Sequence, residues 1–229
     1  KKYVNLFVFV FMIGACLSQG RAQTKSAVSY KNPVVDIAMP DPTVIKAADG
    51  YFYVYATEST RNVPIMKSKD LVEWTYCNTA FTNKTRPRFE PKAGIWAPDI
   101  NYINGKYVLY YAMSVWGGEQ TCGIGVATAN SPQGPFTDHG KMFRSNEIGV
   151  QNSIDPSLLQ YEGRNYLVWG SFRGIYVIEL TADGLSIMSG AKKKRIAGTA
   201  FEAVYIHKHG DYYYMFASIG SCCQGVKST

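Results

Sequence analysis

Histidine is scarce in this chain of 229 residues: only His139, His207 and His209 occur, and none stands at ligand spacing from a cysteine. A zinc site is therefore not expected, and no metal-ligating residue is assigned. Cysteine is sparse as well. Cys16 falls in an apolar N-terminal stretch, while Cys77, Cys122 and the adjacent pair Cys222 and Cys223 are too few, for a domain of this size, to indicate a disulfide framework. No long segment carries a helical period, and the one sustained apolar run, Leu6 to Ala15, is too short to span a bilayer. Charge is modest too. Setting aside Lys1, Lys2 and Arg21, 21 basic face 17 acidic residues without forming a coherent basic face, so no nucleic-acid partner is expected. The run Lys192-Lys193-Lys194-Arg195, beside Ser189-Gly190, reads as a solvated loop.

What is present is apolar and aromatic: 46% hydrophobic and 14% aromatic residues suffice for one sizeable core. The basic start at Lys1-Lys2, the apolar run and the small residues after it have the layout of an export signal over residues 1–22. Two cleavage sites compete. Ile13-Gly14-Ala15-Cys16 would leave a lipid-bearing Cys16 at a membrane surface, whereas Gly20-Arg21-Ala22 would release a soluble protein starting at Gln23. The protein is expected to be exported and monomeric, in the periplasm, outside the cell or as a surface lipoprotein, and to meet a membrane only through Cys16.

The rest of the chain repeats a pattern. An acidic residue, a short apolar stretch, a glycine and a burst of aromatic and β-branched residues recur from Asp41 to Gly50, Asp99 to Gly105, Asp155 to Gly163 and Glu202 to Gly210. Strands are expected at Tyr51–Thr57, Tyr107–Met113, Gly123–Thr128, Asn165–Gly170, Ile175–Glu179, Ala203–His207 and Tyr212–Ala217, with turns at Asp49-Gly50, Asn104-Gly105, Glu162-Gly163 and Asp183-Gly184. The repeats start 58, 56 and 47 residues apart, and short-strand repeats of roughly 40–50 residues suggest blades of a β-propeller. This is an all-β reading. A second hairpin follows in the early units, Ile65 to Trp74 in the first and Ile124 to Ala129 with Gly134-Pro135-Phe136 in the second, making four-stranded blades, and the chain is expected to stop inside its fourth.

The inner strands of propeller blades run beside one axis, so Asp41, Asp155 and Glu202 can meet although 114 and 47 residues separate them. Converging carboxylates drive their pKa values apart, as glycoside hydrolysis requires: one protonated carboxyl for the leaving oxygen and one carboxylate for water or the anomeric carbon. Taken singly, each is better explained as the cap of a turn, but for the set that explanation weakens. Asp99 differs, with Pro98 before it, and is read as structural or as a substrate contact. Trp96, Trp116 and Phe172 lie where a sugar ring can stack, with Trp116 before Gly117-Gly118 the best placed.

Met39-Pro40-Asp41-Pro42-Thr43-Val44, Gly94-Ile95-Trp96-Ala97-Pro98-Asp99, Asn152-Ser153-Ile154-Asp155-Pro156, Trp169-Gly170-Ser171-Phe172, Phe201-Glu202-Ala203-Val204 and Ser221-Cys222-Cys223-Gln224-Gly225 resemble glycoside hydrolase family 43, closest to its endo-α-1,5-L-arabinanase branch. The resemblance implies a five-bladed propeller, partial here over 33–229, that hydrolyses arabinan with inversion. It implies Asp41 as general base, Glu202 as general acid and Asp155 as the residue that orients Glu202 and raises its pKa. Trp116, Asn152, Ser171, Trp96 and Phe172 are the implied sugar contacts, and Cys222-Cys223 would line or back the pocket. It further implies calcium on the axis of the complete protein, held by a histidine from later in the chain. Pro40 stands where many relatives have histidine, and Val204 where many have proline. Rival readings are an exo-acting α-L-arabinofuranosidase or β-xylosidase of the same fold, and a non-catalytic glycan-binding propeller.

Overall fold

The computed structural model describes residues 29–220. The export segment, Cys16 and the Cys222-Cys223 pair lie outside them. Among the described residues the chain is all-β, with one helical turn. β1 (Thr43–Lys46), β2 (Phe52–Tyr55), β3 (Pro64–Ser68) and β4 (Thr75–Thr79) form the first sheet, each strand antiparallel to its chain neighbour. β5 (Gly94–Ile103), β6 (Lys106–Ser114), β7 (Gly123–Ala129) and β8 (Thr137–Arg144) form the second, and the turn α1 (Ser145–Ile148) follows. β9 (Ser157–Tyr161), β10 (Arg164–Trp169), β11 (Ile175–Glu179) and β12 (Lys194–Ala197) form the third, and β13 (Phe201–His209) pairs with β14 (Tyr212–Ile219).

Alternation along β6 accounts for the layering. Leu109 and Tyr111 point into a core shared with Tyr53, Tyr55 and Ile65 of the first sheet and with Phe81 just after it. Val108 and Tyr110, on the opposite face, pack with Leu167, Trp169 and Ile178 of the third. A strand buried on both faces reads as an unbroken apolar run, as Tyr107–Met113 does. Fully burying side chains of this size contributes about 1.5–3 kcal/mol each. Close approach also dictates Gly125 on β7, where a Cβ would collide with the Tyr111 hydroxyl.

Two expectations need correction. The return strand of the first sheet is β4 at Thr75–Thr79, after a turn in which the Asp70 carboxylate accepts the N–H groups of Val72 and Glu73 at 2.9 and 2.8 Å; the expected second hairpin had closed at Trp74. The basic run is a loop only in part, since Lys194 and Arg195 belong to β12, an outer strand. Exposed cations suit such an edge, which must resist pairing with other chains.

The first strands of successive sheets are neighbours: β1 contacts β5, β5 contacts β9 and β9 contacts β13. Polar links tie them at one recurring position. Thr43 Oγ1 accepts the Ile100 N–H at 3.3 Å, Asp99 Oδ2 accepts the Leu158 N–H at 2.8 Å, and Ser157 Oγ donates to the Val204 carbonyl at 2.6 Å.

Candidate active site

Four residues with left-handed backbone, Asp41 (φ 49°), Ala97 (φ 41°), Asp155 (φ 56°) and Ala203 (φ 51°), stand at the mouths of the four sheets. In β5 and β13 the residue lies inside a bulge: three steps from Trp96 to Asp99 oppose two from Ala112 to Tyr110, and three from Glu202 to Tyr205 oppose two from Ser218 to Phe216. The extra residue bends the strand and turns its neighbours inward. Proline follows at positions 42, 98 and 156, where it gives up no ladder hydrogen bond.

This geometry corrects the alignment of the repeats. Asp41 and Asp155 are true counterparts, whereas Asp99 stands two residues deeper and Glu202 one residue earlier. Asp99 is level with Thr43 and Ser157, the linking residues between the inner strands. It is buried, accepts Leu158 N–H at 2.8 Å and Asn101 Nδ2 at 2.6 Å, and its pKa is pushed up to about 6 by burial against those bonds and one from Thr43.

All eight residues named from sequence, Asp41, Asp155, Glu202, Trp96, Trp116, Asn152, Ser171 and Phe172, line one open cavity of about 1170 Å³. The carboxylates arrive from three different sheets. Asp41 is exposed, and its Oδ2 accepts the Thr57 hydroxyl. Asp155 is pushed up to about 8, by burial first and then by the charges of Asp41 and Glu202, while the Ala203 N–H opposes the shift. Glu202 is raised as well, by burial and by Asp41, against a hydrogen bond from Ser171 Oγ at 3.1 Å. Asp155 and Glu202 are electrostatically coupled, the Glu202 charge acting on Asp155.

Ser171 does more than face the cavity: it forms a β-bridge with Glu202, and its carbonyl accepts Asn152 Nδ2 at 3.1 Å. Phe172 is anchored through its N–H to the Phe201 carbonyl at 2.9 Å. Trp116 is 80% exposed and leans on the half-buried Trp96 at 5.6 Å between ring centroids, tilted by 54°. Its loop is fixed by Glu119, whose carboxylate takes both Arg173 (3.1 and 3.0 Å) and Gln151 Nε2 at 2.6 Å.

Sequence reasoning missed Thr57, Glu58 and Glu119. Glu58 forms a buried ion pair with Arg86 and accepts the N–H groups of Ile95 at 3.0 Å and Asn62 at 2.8 Å, fastening the loop after β2 to the start of β5. Burial raises its pKa, but Arg86 and the two N–H groups outweigh that and leave it lowered. Nothing local marks these residues, because each acts on a segment distant in sequence. Cys77 and Cys122 are both free thiols. Among the described residues no three His, Cys, Asp or Glu side chains gather as metal ligands.

The family model for glycosyl hydrolases family 43 matches residues 30–229. An extracellular endo-alpha-(1->5)-L-arabinanase from Bacillus subtilis is 36% identical over 202 residues, covering 82% of this chain and 62% of that protein. Among solved structures, an alpha-L-arabinanase from Cellvibrio cellulosa complexed with arabinohexaose superposes with a TM-score of 0.73 at 29% identity, covering 84% of this chain and 68% of the other. An exo-1,5-alpha-L-arabinanase from a bovine ruminal metagenomic library gives 0.72 at 31% identity, with coverages of 87% and 71%. The chain spans about 60% of the length of the curated relatives it matches.

Proposed function

The chain belongs to glycosyl hydrolases family 43, and from that premise we propose that the whole protein is an exported arabinan endo-1,5-α-L-arabinosidase working by an inverting acid–base mechanism. The observation that carries this reading is the convergence of Asp41, Asp155 and Glu202 from separate sheets on one open cavity, with two of the three raised from their ordinary values. Such a set holds a proton donor and a proton acceptor at the same pH.

Glu202, raised by burial and by Asp41, is the proton donor to the glycosidic oxygen. As the bond from that oxygen to the anomeric carbon breaks, Asp41 takes a proton from the water that attacks the carbon from the opposite face. Inversion by this route needs roughly 6.5–9.5 Å between acid and base. Asp155, raised by burial and by the charges of Asp41 and Glu202, keeps the Glu202 segment in place by accepting the Ala203 N–H. Trp116 and Trp96 offer faces for sugar rings, and Asn152, Ser171 and Phe172 form the adjoining wall.

The same reading includes closure of the sheets into a five-bladed propeller in the whole protein, the catalytic domain covering 33–229 of this chain, and a calcium ion on its axis. The likeness to an exo-1,5-alpha-L-arabinanase, as close as that to the alpha-L-arabinanase complexed with arabinohexaose, keeps exo action as the second reading. Sizing the products from linear arabinan with the full-length protein separates the two: a ladder of oligosaccharides is expected, and monosaccharide alone would sink the endo assignment. Glu202→Gln is expected to lower kcat by about 10²–10⁴-fold while substrate is still bound. An unchanged rate would remove Glu202 from the mechanism, and a wild-type protein that binds arabinan without cutting it would establish a glycan-binding module instead.

A further inference from the structure

Asp41 is the exposed member of the carboxylate set, and a general base on an exposed residue with left-handed backbone needs something to fix it. Thr57, just past the end of β2, does so twice. Its N–H donates to the Pro40 carbonyl at 2.9 Å, gripping the main chain immediately before Asp41. Its hydroxyl meets Asp41 Oδ2 on one side and the Ala97 N–H on the other, the latter at 2.7 Å. A hydroxyl has one hydrogen. The Ala97 N–H can only donate, so it occupies a lone pair of Thr57 Oγ1, and the hydroxyl hydrogen is left to point at the carboxylate. The polarity of the chain Ala97 to Thr57 to Asp41 is therefore set by the backbone.

Ala97 is the counterpart of Asp41 in the next sheet, with the same left-handed backbone. Where the first and third sheets put a carboxylate at this position, the second puts a methyl group and contributes its N–H. The neighbouring Glu58 fixes the same loop to β5, through its own N–H to the Ile95 carbonyl at 3.1 Å and through Arg86. Donor, relay and carboxylate thus sit on segments clamped together from both sides.

We propose that Thr57 is a positioning residue for the base: it holds the Asp41 carboxylate in one orientation toward the cavity through a hydroxyl whose direction is imposed by the Ala97 amide. This rests on the assignment of Asp41 as base. A hydrogen bond to a charged group of this kind corresponds to about 10- to 100-fold in rate when it is lost, and small misplacements of a reacting group cost on a similar scale.

The test uses the full-length protein with Thr57→Val, which keeps the shape and removes the hydroxyl, and Thr57→Ser, which keeps the hydroxyl. With an arabino-oligosaccharide as substrate, T57V is expected to lower kcat by about 10- to 100-fold, with KM and melting temperature close to wild type, and T57S is expected to restore most of the rate. A merely structural role would instead lower the melting temperature in step with the rate and would not separate Ser from Val. Equal rates for T57V and wild type, or equal impairment of T57V and T57S, would overturn the proposal. If T57V does not fold, Thr57→Ala replaces it in the same comparison. Asp41→Asn is measured alongside: if it turns over normally, the base assignment has failed, which is a separate result from a failure of Thr57 to matter.

Discussion

Residues 41, 97, 155 and 203, at the mouths of the four sheets, share one backbone conformation, and two residues further on 43, 99 and 157 share one connecting role. At the mouth, two positions carry aspartate aimed at the cavity and two carry alanine whose amides hold the aspartates or their partners. At the deeper position, Thr43 and Asp99 accept an N–H from the next inner strand and Ser157 donates to a carbonyl of the next. Asp99, buried, and Asp155, partly buried, thus both have raised pKa values, yet one joins a series of strand-to-strand bonds and the other is coupled to the carboxylates of Asp41 and Glu202. A two-residue difference in depth decides between structural and chemical duty. An elevated pKa is common to both and does not discriminate; the partners do.

The sharpest way to break this contrast is Asp155→Asn. It is expected to lower kcat on the order of 10²-fold, since a member of the proton-transfer set is lost, and to leave the fold intact. Its effect on stability has a definite sign. The folded state binds the Asp155 proton up to about pH 8, the unfolded chain only to near 4. Stability contributed by the protonated group is therefore lost as pH rises through that window, and denaturant titrations of D155N should show a flatter decline between pH 4 and 8 than wild type.

Asp99→Ala should behave in the opposite manner. Removing the acceptor leaves the buried Leu158 N–H unpaired, at a cost of about 1–3 kcal/mol in denaturant unfolding, while kcat per folded molecule changes little. Asp99→Thr, which copies Thr43, is expected to recover part of that loss. If D99A abolished turnover at full stability, the division between the two positions would fail.

The smallest effect is expected at the rim. Trp116→Ala removes an 80% exposed ring that rests on Trp96, so melting temperature should hold while KM for oligosaccharides rises several-fold, in line with roughly 0.5–1.5 kcal/mol for an aromatic face. A stability loss without a change in KM would assign Trp116 to packing.

Much of the local architecture was legible. Ile175–Glu179 coincides with β11 and Gly123–Thr128 falls within β7, because alternation and turn residues act over a few neighbours. The alignment of the repeats was misread at Asp99 and Glu202, since a bulge adds a residue without a distinctive composition: Ala97-Pro98 and Ala203-Val204 look like ordinary strand starts. Half of the basic run was misread as loop for a related reason, because edge strands carry the charged residues that loops carry.

The sequence by itself determined the all-β class, the recurring hairpins and the supply of carboxylates at their mouths, all of which depend on residues close along the chain. Only the tertiary structure decided what each carboxylate does. Asp41 meets Thr57, Asp99 meets Leu158 and Glu202 meets Ser171 across 16, 59 and 31 residues of chain. Whether such a group is oriented, neutralised or kept protonated is set by burial and by the donors and charges that other sheets bring to it, which no local pattern encodes.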